Sequence, residues 1–229
     1  MRSRSFIESV VMISVAILIC RGIAAQSPAN KKIFYWDRCA AGDMSSCNSL
    51  GAMHFKENKY SKARLFYNQA CDGGNAIACS NIGYNYYLGH GVKIDRIKSA
   101  LFFYKSCESG NADACMKLSS MKHKGDGIAQ NYSVARLLSE TACHHGSASG
   151  CYNVGWYLFK GVGTVANRDR ARLLFERACR EDHARSCNYL GWYFDHGVGV
   201  TEDDAKAREL YQRACDAGVQ GGCDSLERL

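Results

Sequence analysis

Apolar residues recur along this chain at the spacing of an amphipathic helix, in segments separated by turns that contain glycine. One such segment places Ala171, Leu174, Phe175 and Ala178 just before Cys179. The i, i+3, i+4, i+7 spacing puts these four side chains on one face of a helix. Equivalent segments precede other cysteines at regular intervals, which predicts a helical repeat.

Paired cysteines mark the repeat. The two cysteines of a pair are eight positions apart, and the first cysteines of successive pairs lie 32, 36, 36, 36 and 36 residues apart. Spacing this regular predicts stacked units rather than one globular core. The predicted fold is all-α, an α/α solenoid of helix–loop–helix units of about 36 residues.

Each cysteine pair is predicted to form one disulfide. Twelve cysteines can pair in many ways, but the repeat favours the local connection, because a glycine turn folds the two helices together. Seven intervening residues do not suit a zinc site, which prefers two to four. The predicted disulfides are Cys39–Cys47, Cys71–Cys79, Cys107–Cys115, Cys143–Cys151, Cys179–Cys187 and Cys215–Cys223.

The fourth position of each unit is suited to a left-handed residue that ends the preceding helix. Asp182 replaces glycine there in the fifth pair, which predicts a strained or altered turn. The remaining units carry Gly42, Gly74, Gly110, Gly146 and Gly218.

A second glycine recurs inside the first helix of the units. Glycine within a helix costs about 1 kcal/mol relative to alanine, so its recurrence predicts that another backbone approaches closely. Ser119 replaces this glycine in one unit. The other units carry Gly51, Gly83, Gly155 and Gly191.

The loop between the two helices of most units reads Gly-x-Gly-aliphatic. No Lys-Ser/Thr follows, so the loops are not phosphate-binding loops. Three residues later stands a residue that favours the N-cap of the second helix. These predicted caps are Asp95, Asn131, Asn167 and Asp203.

The N-terminal residues resemble a secretory signal peptide. Arg2 and Arg4 precede an apolar run at 10–20, and small residues follow up to Gln26. The run is short for a bilayer span, so a cleaved signal at 1–25 is expected. Cleavage would remove Cys20 and leave twelve cysteines, and an exported chain meets conditions in which disulfides persist.

The net charge of the chain does not indicate a particular class of partner. The 229 residues carry a formal net charge of +7, and removing residues 1–25 takes away three arginines and one glutamate, leaving +5. Acidic residues are interspersed and no lysine or arginine run occurs, so nucleic-acid binding is not indicated. No cofactor, metal or membrane span is expected in the mature chain, which is predicted to be a monomer. His90, His123 and His196 lie near loop glycines and are expected to be exposed.

With these positions in view, the chain resembles the Sel-one-like repeat family, relatives of the tetratricopeptide repeats. The segments from Ala78 to Ser99 and from Ala184 to Ala207 follow that family's Ala…Leu-Gly…Gly-x-Gly-Val…Asp…Ala pattern. The cysteine pair in every unit looks like the secreted helicobacter cysteine-rich proteins. The resemblance implies a superhelix whose concave face binds proteins or peptides, and for the cysteine-rich group it implies penicillin binding with weak β-lactamase activity.

The expected domain organisation follows from the repeat. A capping helix at 28–41 begins a solenoid that spans 26–229. The units cover about 39–70, 71–106, 107–142, 143–178 and 179–214, and a truncated cap covers 215–229.

The β-lactam alternative needs a nucleophile. Ser119 and Lys122 form a Ser-x-x-Lys motif, but the Ser-Asp-Asn and Lys-Thr-Gly elements of serine β-lactamases are missing. Ser119 also occupies the position of a buried glycine, which is unsuited to an exposed nucleophile. No catalytic residue can be named.

One face of the first helices is rich in aromatic and polar residues, because positions ten, fourteen and seventeen of a unit point together. These side chains either pack between units as core or line a groove that binds an extended peptide. A secreted scaffold with such a groove is the main prediction, and a β-lactam hydrolase is the alternative. The candidate groove residues are Tyr84, Tyr87, His123, Tyr152, Trp156, Phe159, Asn188 and Trp192.

Overall fold

The computed structural model describes residues 28–229, so the predicted signal peptide at 1–25 lies outside the described residues. Over this range the chain forms twelve helices and no strands. The helices are α1 (Pro28–Ala40), α2 (Met44–Lys56), α3 (Tyr60–Asp72), α4 (Ala76–Leu88), α5 (Arg96–Glu108), α6 (Ala112–Lys124), α7 (Tyr132–His144), α8 (Ala148–Lys160), α9 (Arg168–Arg180), α10 (Ala184–Asp195), α11 (Asp204–Asp216) and α12 (Gln220–Leu226).

Helical hairpins of about 36 residues repeat along the chain, which confirms the predicted α/α solenoid with one disulfide per repeat. The cysteines of each of five pairs are bonded to each other, with Cα atoms 4.6 to 4.8 Å apart. Cys71 and Cys79 are also disulfide-bonded. The five pairs are Cys39–Cys47, Cys107–Cys115, Cys143–Cys151, Cys179–Cys187 and Cys215–Cys223.

The chain divides into two compact units, one that ends at Ala78 and one that spans Cys79–Leu229. In the first unit, the ring of Phe66 packs between Trp36 and His54, with centroids 5.7 and 5.4 Å away. In the second, one core cluster contains the fully buried rings of Phe175 and Tyr193.

The predicted N-caps of the second helices are confirmed. Asp95, Asn131, Asn167 and Asp203 each accept a hydrogen bond from the backbone N–H three residues later, at 2.8 to 2.9 Å. Each side chain satisfies one of the donors that a helix start leaves without an intrahelical partner. The second helices therefore begin where the sequence predicts.

Asp182 keeps the turn that glycine makes elsewhere. Its φ is +55°, in the left-handed region, and Arg213 donates a hydrogen bond to its carboxylate at 3.0 Å. Aspartate tolerates this conformation better than most residues, because its short side chain can bond locally. The left-handed turn is therefore retained rather than altered, and the strain that the sequence predicts is that of a non-glycine residue at positive φ.

The glycines at this position of the first helices each face an aromatic ring, and the prediction of a neighbouring backbone is wrong. An ideal Cβ placed on Gly155 would lie 2.8 Å from Cε1 of Phe175. The same relation joins Gly83 to Phe103 and Gly191 to Tyr211. A side chain would overlap the ring, so the glycine lets the two helices of a hairpin pack closely.

Candidate functional site

The predicted groove residues lie on α4, α6, α8 and α10, the first helices of four hairpins. Tyr84 is 38% exposed, and the other seven residues are half-buried. They are therefore neither fully buried core nor freely exposed. This is expected of side chains that pack against the protein on one side and contact solvent on the other. Whether they bind a ligand remains a prediction.

Aromatic rings on α8 and α10 are in contact with one another. Phe159 meets Trp192 edge to face with centroids 5.2 Å apart, and it meets Tyr189 at 5.4 Å. Tyr152 packs on the imidazole of His183 at 4.7 Å. Edge-to-face contacts of this kind hold aromatic side chains in fixed positions.

His123 connects α6 to α8. Its Nδ1 lies 2.7 Å from the hydroxyl of Tyr157, and its ring is 5.9 Å from that of Trp156. The expectation that His123 is exposed is wrong, because these aromatic neighbours half-bury it. We refer to His123, Tyr152, Trp156, Phe159 and Trp192 as the aromatic row.

In the α4 part of the predicted groove, charged side chains of the protein itself contact Tyr87. Tyr87 has the cationic groups of Arg96 and Lys117 each 3.6 Å from its ring centroid, and its hydroxyl donates to Asp126 at 2.5 Å. Burial lowers the pKa of Lys117, although Asp126 opposes this. The ring of Tyr87 already has cation–π partners, so a ligand would have to displace them.

Asn188 lies on α10 with its amide close to the start of α12. Its amide nitrogen lies beside Gly221 at the start of α12, 3.3 Å from where a Cβ of that residue would be. Its amide oxygen is buried and has no hydrogen-bond partner among the described residues. A ligand can reach this oxygen only if the side chain moves.

A cavity of about 310 Å³ lies beside the aromatic row. We call it the α6–α8 cavity, because seven of its lining residues belong to these helices and one belongs to α10. The lining residues are Ser119, Ser120, His123, Tyr152, Asn153, Trp156, Tyr157 and Arg185.

Sequence reasoning did not find Asn153, Tyr157 or Arg185. The first two hold positions eleven and fifteen of their unit, each one residue after the predicted groove positions ten and fourteen. A wider arc of the helical wheel would have included both. Arg185 belongs to the next unit, so only the packing of α10 against α8 places it here.

The cavity lining carries positive charge and no carboxylate. Burial raises the pKa of Tyr152 and of Tyr157, so both remain neutral hydroxyl groups at physiological pH. Arg185 is exposed at the rim, and no carboxylate within residues 28–229 forms an ion pair with it. The cavity therefore favours a ligand that is neutral or negatively charged.

The Ser-x-x-Lys motif does not form a nucleophilic site. Ser119 is only 1% exposed, and its hydroxyl donates to the carbonyl of Ala135 at 2.7 Å and contacts Ser139 Oγ at 2.8 Å. Lys122 Nζ lies 3.5 Å from the carbonyl oxygen of Ala129 instead. No observation here supports attack on a β-lactam by Ser119.

No group of three or more histidine, cysteine or acidic side chains is placed to hold a metal ion in the described part of the chain. None of the helices between 28 and 229 has the length and apolar character required to cross a membrane.

The model of the Sel1 repeat family matches five consecutive segments of the chain. They are residues 40–75, 76–111, 112–147, 148–183 and 184–219. None of the curated proteins compared with the chain matches it.

Several solved structures are similar to this fold. A protective antigen of uropathogenic Escherichia coli with an SLR fold has a TM-score of 0.78 and 24% identity over 87% of this chain and 44% of its own. A Sel1 repeat protein from Oxalobacter formigenes has a TM-score of 0.67 and 24% identity over 86% of this chain and 78% of its own.

Cysteine rich protein B of Helicobacter pylori has a TM-score of 0.46 and 23% identity over 59% of this chain and 99% of its own. Of the E. coli protein, this chain covers only 44% of the length, which is less than half. At these identities the E. coli and O. formigenes structures establish similarity of fold alone.

Proposed function

This chain belongs to the Sel1 repeat family, and from that premise we propose that it is an exported scaffold that binds a protein or peptide on its aromatic row. Repeats of this kind form scaffolds suited to protein–protein interaction. The disulfide in each repeat stiffens the scaffold, and a rigid surface loses less conformational entropy when a ligand binds.

The observation that carries this proposal is the half-buried state of the aromatic row. His123 and Trp156 lie beside the α6–α8 cavity, and Phe159 and Trp192 continue the aromatic surface along α8 and α10. Tryptophan, tyrosine and arginine dominate the binding energy of protein interfaces, especially where they line pockets. This face has all three.

Export is supported by the cysteine chemistry. The twelve cysteines between 28 and 229 are disulfide-bonded, and such bonds persist outside the reducing cytoplasm. The signal-peptide pattern at 1–25 agrees with export. Alkylation of the protein in intact cells, before any reductant is added, tests this: modified cysteines would contradict an oxidised, exported form.

Trp156→Ala tests the binding surface. The indole contacts His123 and Tyr157 at ring distances of 5.9 and 5.4 Å, and it lies outside the core cluster of buried residues. We expect the variant to lose a partner that cross-linking identifies with the oxidised wild-type protein, while its melting temperature stays within a few degrees. Binding of that partner is then measured by calorimetry.

Tyr104→Ala is the matched control, because Tyr104 is an exposed aromatic residue on the second helix α5. The control should bind the partner as wild type does. Equal binding by the Trp156 variant, or a large fall in its melting temperature, would contradict a binding role for Trp156.

A further inference from the structure

The α6–α8 cavity occupies a place that an aromatic ring fills in the next repeat. There the ring of Phe175 is fully buried. Three of its neighbours are the rings of Phe159, Tyr189 and Tyr193, at centroid distances of 6.3, 4.7 and 6.3 Å, and a fourth is the ring of Tyr152 at 6.0 Å. These distances are typical of packed aromatic pairs, so the space is closed in that repeat.

The repeat of 36 residues relates these neighbours to the cavity lining. The counterparts of the first three one repeat earlier are His123, Asn153 and Tyr157, and all three line the α6–α8 cavity. The counterpart of Phe175 is Ser139. Three of the four aromatic neighbours therefore have counterparts in the cavity lining, whereas the counterpart of Tyr152 is Met116 and the ring that fills the site is missing.

The replacement of Phe175 by Ser139 is accompanied by a second difference between the two repeats. Phe175 lies over Gly155, and the counterpart of Gly155 is Ser119. The hydroxyls of Ser119 and Ser139 are 2.8 Å apart, and both side chains are buried. This polar pair replaces the glycine and ring and satisfies its own hydrogen bonds, so it stabilises the hairpin without filling the space above it.

We propose that the α6–α8 cavity receives a phenylalanine or tyrosine side chain from a partner peptide, with a carboxylate of that peptide beside Arg185. This inference rests on the proposed function and names the chemistry of its ligand. The partner's ring takes the place that Phe175 occupies in the next repeat. The peptide carboxylate is an aspartate, a glutamate or the free C-terminus.

The size and walls of the cavity suit this occupant. A cavity of about 150 Å³ accommodates benzene, so 310 Å³ holds a substituted ring together with part of a peptide backbone. Trp156 and Tyr157 offer ring edges and faces, and the hydroxyl of Ser120 is available at the wall. An aromatic side chain seated in such a pocket is the usual centre of an interface.

The charge of the lining indicates that the ligand carries a carboxylate as well as an aromatic ring. The lining contains Arg185 and no acidic group, and Arg185 lies at the exposed rim. A guanidinium binds a carboxylate through two parallel hydrogen bonds, which fixes direction as well as charge. A peptide with a carboxylate close to its aromatic residue matches this pattern.

The test fills the cavity by restoring the pattern of the next repeat. In the double variant Ser119→Gly/Ser139→Phe, the new ring would lie over glycine as Phe175 lies over Gly155. A library of random heptapeptides displayed on phage is selected on the oxidised wild-type protein and, in parallel, on this variant. Its melting temperature, expected at or above that of wild type, shows that it folds.

We expect peptides with phenylalanine or tyrosine next to an acidic residue to be enriched on wild type and not on the filled variant. Peptides chosen on wild type should bind the filled variant about 30-fold more weakly, as expected when a central interface side chain loses its pocket. Arg185→Gln should remove the preference for the acidic residue and keep the preference for the ring.

The outcomes separate this inference from the proposed function. Peptides that bind both proteins equally, or that lack an aromatic residue, would overturn the inference and leave the scaffold function standing. No enrichment on either protein would count against both.

Two further measurements guard against a filled variant that does not fold. Asn153→Tyr blocks the cavity from its half-buried wall and should have the same effect on binding. Phenylacetate, titrated against wild type by NMR, should shift the signals of Trp156 and Tyr157, whereas cyclohexylammonium should not. Equal shifts with both compounds would contradict the proposed selectivity.

Discussion

At the scale of single residues, the glycine and the ring that faces it decide how closely the helices of a hairpin pack. Gly155 and Phe175 form one such pair, and Ser119 and Ser139 replace it one repeat earlier. Exchanging one partner without the other produces either overlap or a void. The two positions of a pair therefore have to be considered together.

Gly155→Ala tests this pairing. Alanine favours a helix over glycine by about 1 kcal/mol, but its Cβ would lie 2.8 Å from the buried ring of Phe175, and overpacking costs about 1–3 kcal/mol. We expect a net loss in the free energy of unfolding, measured in urea. Adding Phe175→Leu should relieve the overlap and make the two effects non-additive. A more stable single variant would show that the ring moves freely.

The titration of His183 should affect the stability of the protein. It caps α10, where its Nδ1 accepts from the N–H of Ser186 at 3.3 Å, and burial, followed by the charge of Arg185, lowers its pKa below 6.5. Protonation thus favours the unfolded chain. Stability should be complete above pH 6.5 and should fall as the pH drops through 6.5 towards the lower pKa of the folded state.

His183→Asn isolates this effect, since asparagine caps α6 at the equivalent position, Asn111. The free energy of unfolding of wild type should fall more between pH 8 and pH 5 than that of the variant. The pKa of His54 is also lowered, but His54 is present in both proteins and cancels in the comparison. Parallel pH profiles would contradict a role for His183.

At the scale of the helix, the second helix of each hairpin starts at a side-chain cap. Asn167 accepts from the N–H of Arg170 at 2.9 Å and begins α9. The first helices use the equivalent device at the fifth position of the unit, for example Asn111 and Ser147. The repeat thus carries its helix boundaries in its own sequence.

Asn167→Ala should reduce stability by about 1 kcal/mol, because a backbone donor at the start of α9 loses its partner. Asn167→Asp keeps the acceptor and serves as the control. Thermal unfolding followed by circular dichroism measures both. An equal loss in the aspartate variant would show that the side chain acts in another way.

At the scale of the whole molecule, one disulfide per repeat closes the turn between successive hairpins. Cys143 and Cys151 join the end of α7 to the start of α8, with Cα atoms 4.6 Å apart. Arg177 of the next second helix donates to the carbonyl of Cys143 at 3.1 Å, so the bonded turn also contacts the following hairpin. The stability of the molecule is therefore a sum of contributions within each repeat and of contacts between neighbouring repeats.

Removing that disulfide by Cys143→Ala/Cys151→Ala should lower the free energy of unfolding by about 2–3 kcal/mol, the loop-closure value for a loop of this size. Amide hydrogen exchange should rise most in α7 and α8 and least in α11 (Asp204–Asp216), which is the internal control. A uniform rise along the chain would contradict local control of stability.

Much of this architecture follows from the sequence, because its causes lie within one repeat. The cysteine spacing, the caps such as Asn131 and the left-handed turn glycines act over a few residues, and their placement is confirmed. The interpretation failed where contact crosses between helices. The partner of Gly155 is a ring rather than a backbone.

The sequence by itself determines the repeat, its helices and its disulfides, since each depends on short-range chemistry and on periodicity. Only the tertiary structure decides where the protein is open. The α6–α8 cavity is lined by α6 and α8, and Arg185 reaches it from α10. Ser139 on α7 stands at the position from which Phe175 fills the equivalent space in the next repeat. An empty space depends on four helices at once, so no local pattern in the sequence records it.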